Sequence, residues 1–201
     1  MSLTAVALTF AAIFVVELPD KTFIAALVLS TRYRGLYVWI GVGLAFLVQT
    51  LIAVTVGKAV TFLPDDVVHG IAGVIFLAGA VVLLREAPKA DAEEHETEEE
   101  FAAKATVNKT GFAAVLASFL VLFAAEWGDL SQLLTISLVG RYDDPVAVFT
   151  GAWGALLAVS GLAVVSGRFL LRHVRLSVIH YVGAAVCLML AGFTAYELLR
   201  G

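Results

Sequence analysis

Two short acidic motifs interrupt the long apolar stretches of this chain: Glu17-Leu18-Pro19-Asp20-Lys21-Thr22 and Glu126-Trp127-Gly128-Asp129-Leu130-Ser131-Gln132. A carboxylate at bilayer depth costs about 3 kcal/mol or more unless it is paired or hydrated, so such a residue marks function by default. Together the motifs offer four carboxylates (Glu17, Asp20, Glu126 and Asp129), the amide of Gln132, and the hydroxyls of Thr22 and Ser131. An all-oxygen set of this kind suits hard divalent cations such as Ca²⁺, Mg²⁺ or Mn²⁺. Zinc and copper sites draw on His or Cys, and neither motif contains them. In a continuous helix residues three apart lie about 60° apart around the axis. Glu17 and Asp20 then share a face, as do Glu126, Asp129 and Gln132.

Charge sets what must accompany the metal. Four carboxylates and Lys21 leave the motifs at −3, and a divalent ion reduces this to −1. Without the ion the clustered carboxylates repel one another, so protons are natural replacements. Exchange against protons is therefore expected, with Na⁺ as the other candidate coupling ion. A static salt-bridge network is disfavoured, because one cation cannot pair four anions.

The surrounding residues leave more than one reading. Lys21, four residues after Glu17, is placed either as an internal counter-ion or as a helix brace. Pro19 has no N–H, which frees the carbonyl of Val15; the proline is either a simple kink or a device exposing that carbonyl to an ion. Gly128, at the matching position, could allow similar unwinding. Gln49 and Thr50 are candidate polar lining or interhelical hydrogen-bonding groups, and Trp127 reads as a packing or gating aromatic. His69 and His180 read as interfacial.

These residues need a scaffold that crosses a membrane. Apolar residues make up 61% of the 201, against roughly 45–50% in soluble domains, and the mean hydropathy is +0.95. A span takes about 20 mainly apolar residues, and six segments qualify: 3–30, 36–62, 67–84, 112–139, 146–167 and 176–199. Six spans with short loops leave no room for a soluble catalytic domain. The fold expected is all-α and polytopic, with six transmembrane helices. The N-terminal stretch lacks a basic region and a cleavage site, so it reads as the first span rather than a signal peptide. Cys187 is the only cysteine, which excludes an internal disulfide.

The two halves of the sequence correspond. At an offset of 109, Glu17 meets Glu126, Asp20 meets Asp129, Arg32 meets Arg141 and Tyr33 meets Tyr142; at 110, Gly57-Lys58 meets Gly167-Arg168; at 111, His69 meets His180. Each half holds three spans, an odd number, so the second must cross in the opposite sense. Inverted repeats place their substrate site near the midplane, at the repeat interface. Glu17 and Glu126 each lie about 14 residues into a span, roughly 20 Å deep at 1.5 Å per residue, so the motifs can meet. The organisation expected is residues 1–85 as a first three-helix repeat, 86–111 as an acidic linker, and 112–201 as a second repeat. The many glycines of the spans read mostly as helix-packing positions.

Nine Lys and Arg residues fall on the loop side that holds the linker: Arg32, Arg34, Arg85, Lys89, Lys104, Lys109, Arg168, Arg172 and Arg175. Lys58, Arg141 and Arg200 fall on the other. The positive-inside rule then puts the linker in the cytoplasm and both termini outside. The linker carries a run of like charge and few apolar residues, and a mobile tether is expected there. Its acidic cluster could also concentrate cations at a cytoplasmic entrance.

With its duplicated motif the chain resembles the GDT-type cation/proton antiporters, which include Golgi members and bacterial manganese exporters. The family hallmark is E-x-G-D-[KR]-[TS] in the first and fourth of six core helices, with an acidic cytoplasmic loop between the halves. Pro19 departs from the glycine of the first copy, and Leu130 from the basic residue of the second. The resemblance implies Mn²⁺ or Ca²⁺ transport, with Glu17, Asp20, Glu126 and Asp129 carrying the ion.

The function expected is secondary transport: export of a divalent cation, Mn²⁺ first and Ca²⁺ second, in exchange for protons across a prokaryotic plasma membrane. Its partners are the metal ion, protons and the bilayer, with no cofactor and no nucleic acid; a homo-oligomer is allowed. Two alternatives stand beside it. An exporter of amino acids or other small metabolites fits poorly with so acidic a site. An intramembrane aspartyl protease would use Asp20 and Asp129 as its pair, but the glutamate beside each fits ion ligation better.

Overall fold

The computed structural model describes residues 2–18, 20–105, 109–173 and 175–200. Among these residues there are nine helices and no strand: α1 (Leu3–Glu17), α2 (Lys21–Arg32), α3 (Gly35–Val60), α4 (Asp65–Glu86), α5 (Ala90–Lys104), α6 (Phe112–Ala125), α7 (Leu130–Tyr142), α8 (Pro145–His173) and α9 (Leu176–Arg200). Four are long and apolar enough to cross a bilayer alone. The pairs α1–α2 and α6–α7 are apolar enough only when each is taken together, and they are bent by 70° and 73°, so the described residues offer four to six candidate spans. The chain is an all-helical polytopic membrane protein.

The first and fourth candidate spans are each broken at the acidic motif, where the sequence offers a kink at Pro19 and unwinding at Gly128. Local chemistry accounts for the breaks. Gly128 sits at φ +81°, a conformation glycine adopts without a steric penalty. Asp129 caps α7 by accepting from the Ser131 N–H at 3.0 Å. In the first repeat Asp20 caps α2, accepting from the Lys21 N–H at 2.6 Å. Pro19, at the position matching Gly128, lies outside the described residues.

The halves correspond in packing as well as in sequence. α1 lies against α8 and α6 against α3, each through one close crossing. A Cβ on Gly151 would come 2.6 Å from the Val6 carbonyl oxygen and 2.9 Å from the Thr9 Cβ; one on Gly41 would come 2.9 Å from the Ser118 Cβ. Thr9 and Ser118 are 109 residues apart and Gly41 and Gly151 are 110 apart, the offsets of the motif repeat. α4 and α9 pack on one another.

The termini end and the linker end of the bundle are fixed by contacts. The Ser2 N–H donates to Asp144 Oδ2 at 2.7 Å, so the start of α1 lies beside the α7–α8 turn. At the other end Gly35 of α3 and Val164 of α8 wall the same groove.

The acidic linker differs from the mobile tether expected of its charge. Residues 90–104 form α5, which rests on α2 through buried Ala90 and Phe101, with Ala105 buried just beyond its end. Sparse apolar residues supply a narrow stripe, while Glu93, Glu96, Glu99 and Glu100 are exposed. Lys104 donates to Glu100 Oε1 at 2.6 Å, an i, i+4 pair that holds the Glu100 carboxyl below its ordinary value.

The crossings carry a prediction. Gly41→Ala and Gly151→Ala should each destabilise the protein by about 1–3 kcal/mol, the usual cost of overpacking. Gly70 and Gly192, where an added Cβ meets nothing within 4 Å, should accept alanine with unchanged or slightly raised stability. Thermal unfolding of the purified variants in detergent distinguishes the two groups.

Candidate functional site

The four breaks and caps deliver four carboxylates to one place. Glu17 ends α1, Asp20 starts α2, Glu126 follows α6, and Asp129 starts α7. One oxygen from each lies within 4.8 Å of the others. Glu17 is fully buried and Glu126 nearly so, while Asp20 and Asp129 are partly exposed. Their convergence comes from the helix breaks. A shared face on a continuous helix, as the spacing implied, is not how they meet, because α1 ends at Glu17, α6 ends just before Glu126, and α2 and α7 start only after Asp20 and Asp129.

One hydroxyl ties the motifs together. Thr22 Oγ1 lies 2.9 Å from Glu17 Oε1 and 2.7 Å from Glu126 Oε1, so it bridges the glutamates of the two motifs. Its repeat counterpart Ser131 is buried beside Glu126 in the lining of a small cavity. Thr22 has one hydroxyl hydrogen, so it satisfies two carboxylate oxygens at once only if one carboxyl carries a proton and donates back. The second oxygens, Glu17 Oε2 and Glu126 Oε2, are buried without a protein partner. Those lone pairs are free for a cation or a proton.

Two cavities meet at Glu126. The larger, about 290 Å³, is lined by Asp20, Lys21, Glu126, Trp127 and Asp129 from the motifs, and by Val82, Leu83, Glu86 and His180 from α4 and α9. Glu86 closes α4 and His180 lies near the start of α9, so this vestibule opens at the linker end. The smaller, about 10 Å³, is lined by Gln49, Thr50, Glu126, Ser131, Gln132 and Thr135 among others. That is room for about one water-sized particle.

The remaining candidates separate clearly. Gln49 donates from Nε2 to the Phe123 carbonyl at 3.1 Å and also lines the small cavity, so both of its readings hold. Gln132 accepts from the Gly128 N–H at 3.1 Å, bracing the break, and lines the same cavity. Lys21 is exposed in the vestibule, within electrostatic reach of Glu126 and of Glu100 on α5. The helix break removes the i, i+4 geometry with Glu17. Val15 lines neither cavity; its carbonyl faces Gly183 of α9, where an added Cβ would come 3.7 Å from it. Trp127 is 62% exposed and packs its ring edge-on to Phe123 at 5.2 Å.

Glu86 was not singled out from sequence, and His180 was read as interfacial; both line the vestibule. A signal existed for the pair. At the offset of 111 that joins His69 to His180, Glu86 meets Glu197, so α4 and α9 each carry the same His and Glu positions.

Buried clustered carboxylates at two broken helices, paired by sequence repeat and reached by a vestibule, define the class as a secondary ion transporter. Residues 5–91 and 114–201 match the family described as divalent cation/proton antiporter GDT1. The chain belongs to this family of divalent cation/proton antiporters, which are transporters rather than enzymes. It is 33% identical over 176 residues to the GDT1-like protein sll0615 of Synechocystis sp., covering 78% of this chain and 82% of that one. It is 31% identical over 208 residues to the chloroplastic PAM71-homolog of Arabidopsis thaliana, covering 93% of this chain and 58% of that longer protein. No solved structure matches the chain. Family membership sets aside the protease and metabolite-exporter alternatives.

The double role of the aspartates yields a prediction. Asn caps a helix as well as Asp, so Asp20→Asn and Asp129→Asn should leave the metal-free protein at least as stable as wild type, since a repelling charge is also removed. Asp→Ala at either position loses the cap and should lie about 1 kcal/mol below its Asn counterpart. Thermal unfolding in a chelator makes the comparison.

Proposed function

We propose that Glu17, Asp20, Glu126 and Asp129 bind one transported Mn²⁺ and that the protein exports it in exchange for protons. The observation that carries this reading is the approach of four carboxylate oxygens from two repeats to within 4.8 Å. One oxygen from each carboxylate, with the Thr22 and Ser131 hydroxyls, makes six hard donors. That number suits Mn²⁺, while Ca²⁺ takes six to eight and is the second choice. Mg²⁺ sheds its water reluctantly and is seldom held in an all-protein cage. The single Thr22 hydrogen shared between two glutamates supports protons as the exchanged ion. The organisation into two inverted repeats joined by α5 supports one central site reached alternately from each side.

We place the protein in a prokaryotic plasma membrane with α5 in the cytoplasm and both termini outside. The support for that orientation is the distribution of Lys and Arg over the loops. The vestibule then faces the cytoplasm, the side from which an exporter loads.

Transport in proteoliposomes tests this directly. With an acidic lumen, protons leaving should drive external Mn²⁺ inward, and nigericin should abolish accumulation by collapsing the gradient. A sodium gradient alone should drive none. Glu126→Gln should lower the initial rate at least a hundredfold. Mn²⁺ uptake indifferent to the pH gradient would contradict proton exchange; uptake of Ca²⁺ in preference to Mn²⁺ would reverse the order of ions.

A further inference from the structure

The two repeats do not sit alike, and the difference identifies how the site is closed. At the termini end α7 lies along α4: a Cβ on Gly79 would come 2.9 Å from Leu130, and one on Gly140 would come 2.7 Å from Val68. From the last turn of α7, Arg141 reaches α9. Its Nη1 donates to Thr194 Oγ1 at 2.7 Å, and its guanidinium carbon lies 4.5 Å from the centre of the Phe193 ring. Thr194 is fully buried. These contacts hold α7 against α4 and α9 at that end.

The equivalent residues of the first repeat are Arg32 for Arg141, and Val82, Leu83 and Glu86 for Phe193, Thr194 and Glu197. They stand apart. Val82, Leu83 and Glu86 line the open vestibule. Arg32, with Leu27, Val28 and Thr31, lines a separate cavity against Glu98, Glu99 and Ala102 of α5. α2 packs on α3, α5, α6 and α8, and no packing comparable to that of α7 on α4 joins it to α9 among the described residues. The vestibule occupies the space that the repeat relation assigns to α2.

We propose that Arg141 and Arg32 are alternating latches of the transport cycle. In the form seen here Arg141 holds the termini end shut on α9. In the opposite form α2 swings onto α9, Arg32 seats over Val82 and Leu83, and Arg141 leaves Thr194. Leu83 offers no hydroxyl, so the acceptor for Arg32 is Glu86, one turn further along α4 in the same vestibule. While the linker end is open Arg32 shares a cavity with Glu98 and Glu99 of α5, which gives the docked acidic helix a part in the cycle. Both arginines are positioning residues: they touch neither the carboxylates nor the ion. The proposal rests on the transport reading above.

Cross-linking decides it. In a Cys187→Ala background, Arg141→Cys/Thr194→Cys and Arg32→Cys/Glu86→Cys are treated with a short bis-methanethiosulfonate reagent. The first pair should cross-link in metal-free protein. The second should cross-link only in proteoliposomes cycling with Mn²⁺ and a pH gradient. Each link should stop exchange, and reductant should restore it. If the second pair never links while the unlinked variant transports, or if linked protein still transports, the latches are wrong. Should the cysteine variants fail to transport even when reduced, single substitutions settle the question. Arg32→Gln and Arg141→Gln should keep equilibrium Mn²⁺ binding but lose at least tenfold in flux, with Arg→Lys restoring much of it; wild-type flux in both Gln variants overturns the proposal. Absence of Mn²⁺ flux in the unsubstituted protein would instead remove the transport reading, a result distinct from all of these.

Discussion

Four carboxylates gathered within 4.8 Å in an apolar surrounding are the constraint from which the rest of the structure follows. Two unit charges 4 Å apart repel by about 4 kcal/mol at an effective dielectric constant of 20, so the cluster stands only if cations neutralise it. The fold supplies almost none of that neutralisation itself, since Lys21 is the sole basic residue of the two motifs and sits exposed in the vestibule. It supplies geometry instead. Two spans break at their motifs, and the break places a glutamate at one helix end and an aspartate at the next helix start. The C-terminal ends of α1 and α6 bring partial negative charge to this place and the N-terminal ends of α2 and α7 partial positive charge, so the helix dipoles largely offset one another. That need for exchangeable cations is the physical ground of the transport reading proposed above.

Much of this was legible in the sequence because membrane chemistry leaves few alternatives. Carboxylates in the middle of apolar stretches have to meet, and the offset that relates Glu17 to Glu126 also relates Thr9 to Ser118 and Gly41 to Gly151, the crossings that hold the halves together. The helix breaks were less legible. Spacing at three residues reads equally as one face of a continuous helix, and only the positive φ of Gly128 and the caps at Asp20 and Asp129 show that the chain turns there. For the same reason Lys21 could not be placed: its helical partner depended on a helix that does not continue. Val15 was sought among the ligands because proline frees its carbonyl, but that carbonyl faces Gly183. The linker reads as a tether because its composition is dominated by charge, while its helix and the burial of Ala90, Phe101 and Ala105 are announced by no local pattern.

The repeats share a sequence plan but not a conformation, and the asymmetry is as informative as the likeness. α7 lies along α4, whereas its counterpart α2 is held away from α9 with α5 against it. In the latch proposal above, this asymmetry is what leaves one end of the site open and the other closed. Departures from repeat symmetry fall where this difference needs them. Leu130, at the position of Lys21, packs against Gly79 in the closed half, while Lys21 lines the open vestibule.

The central claim is that the two motifs make one site together rather than one site each. Equilibrium titration of the purified protein with Mn²⁺, reading free ion by electron paramagnetic resonance, tests it most directly. One tight ion per chain is expected for the wild type, with binding weakened at least a hundredfold by Glu17→Gln and equally by Glu126→Gln. Two ions per chain, or one ion held at unchanged affinity after either motif is neutralised, would contradict it.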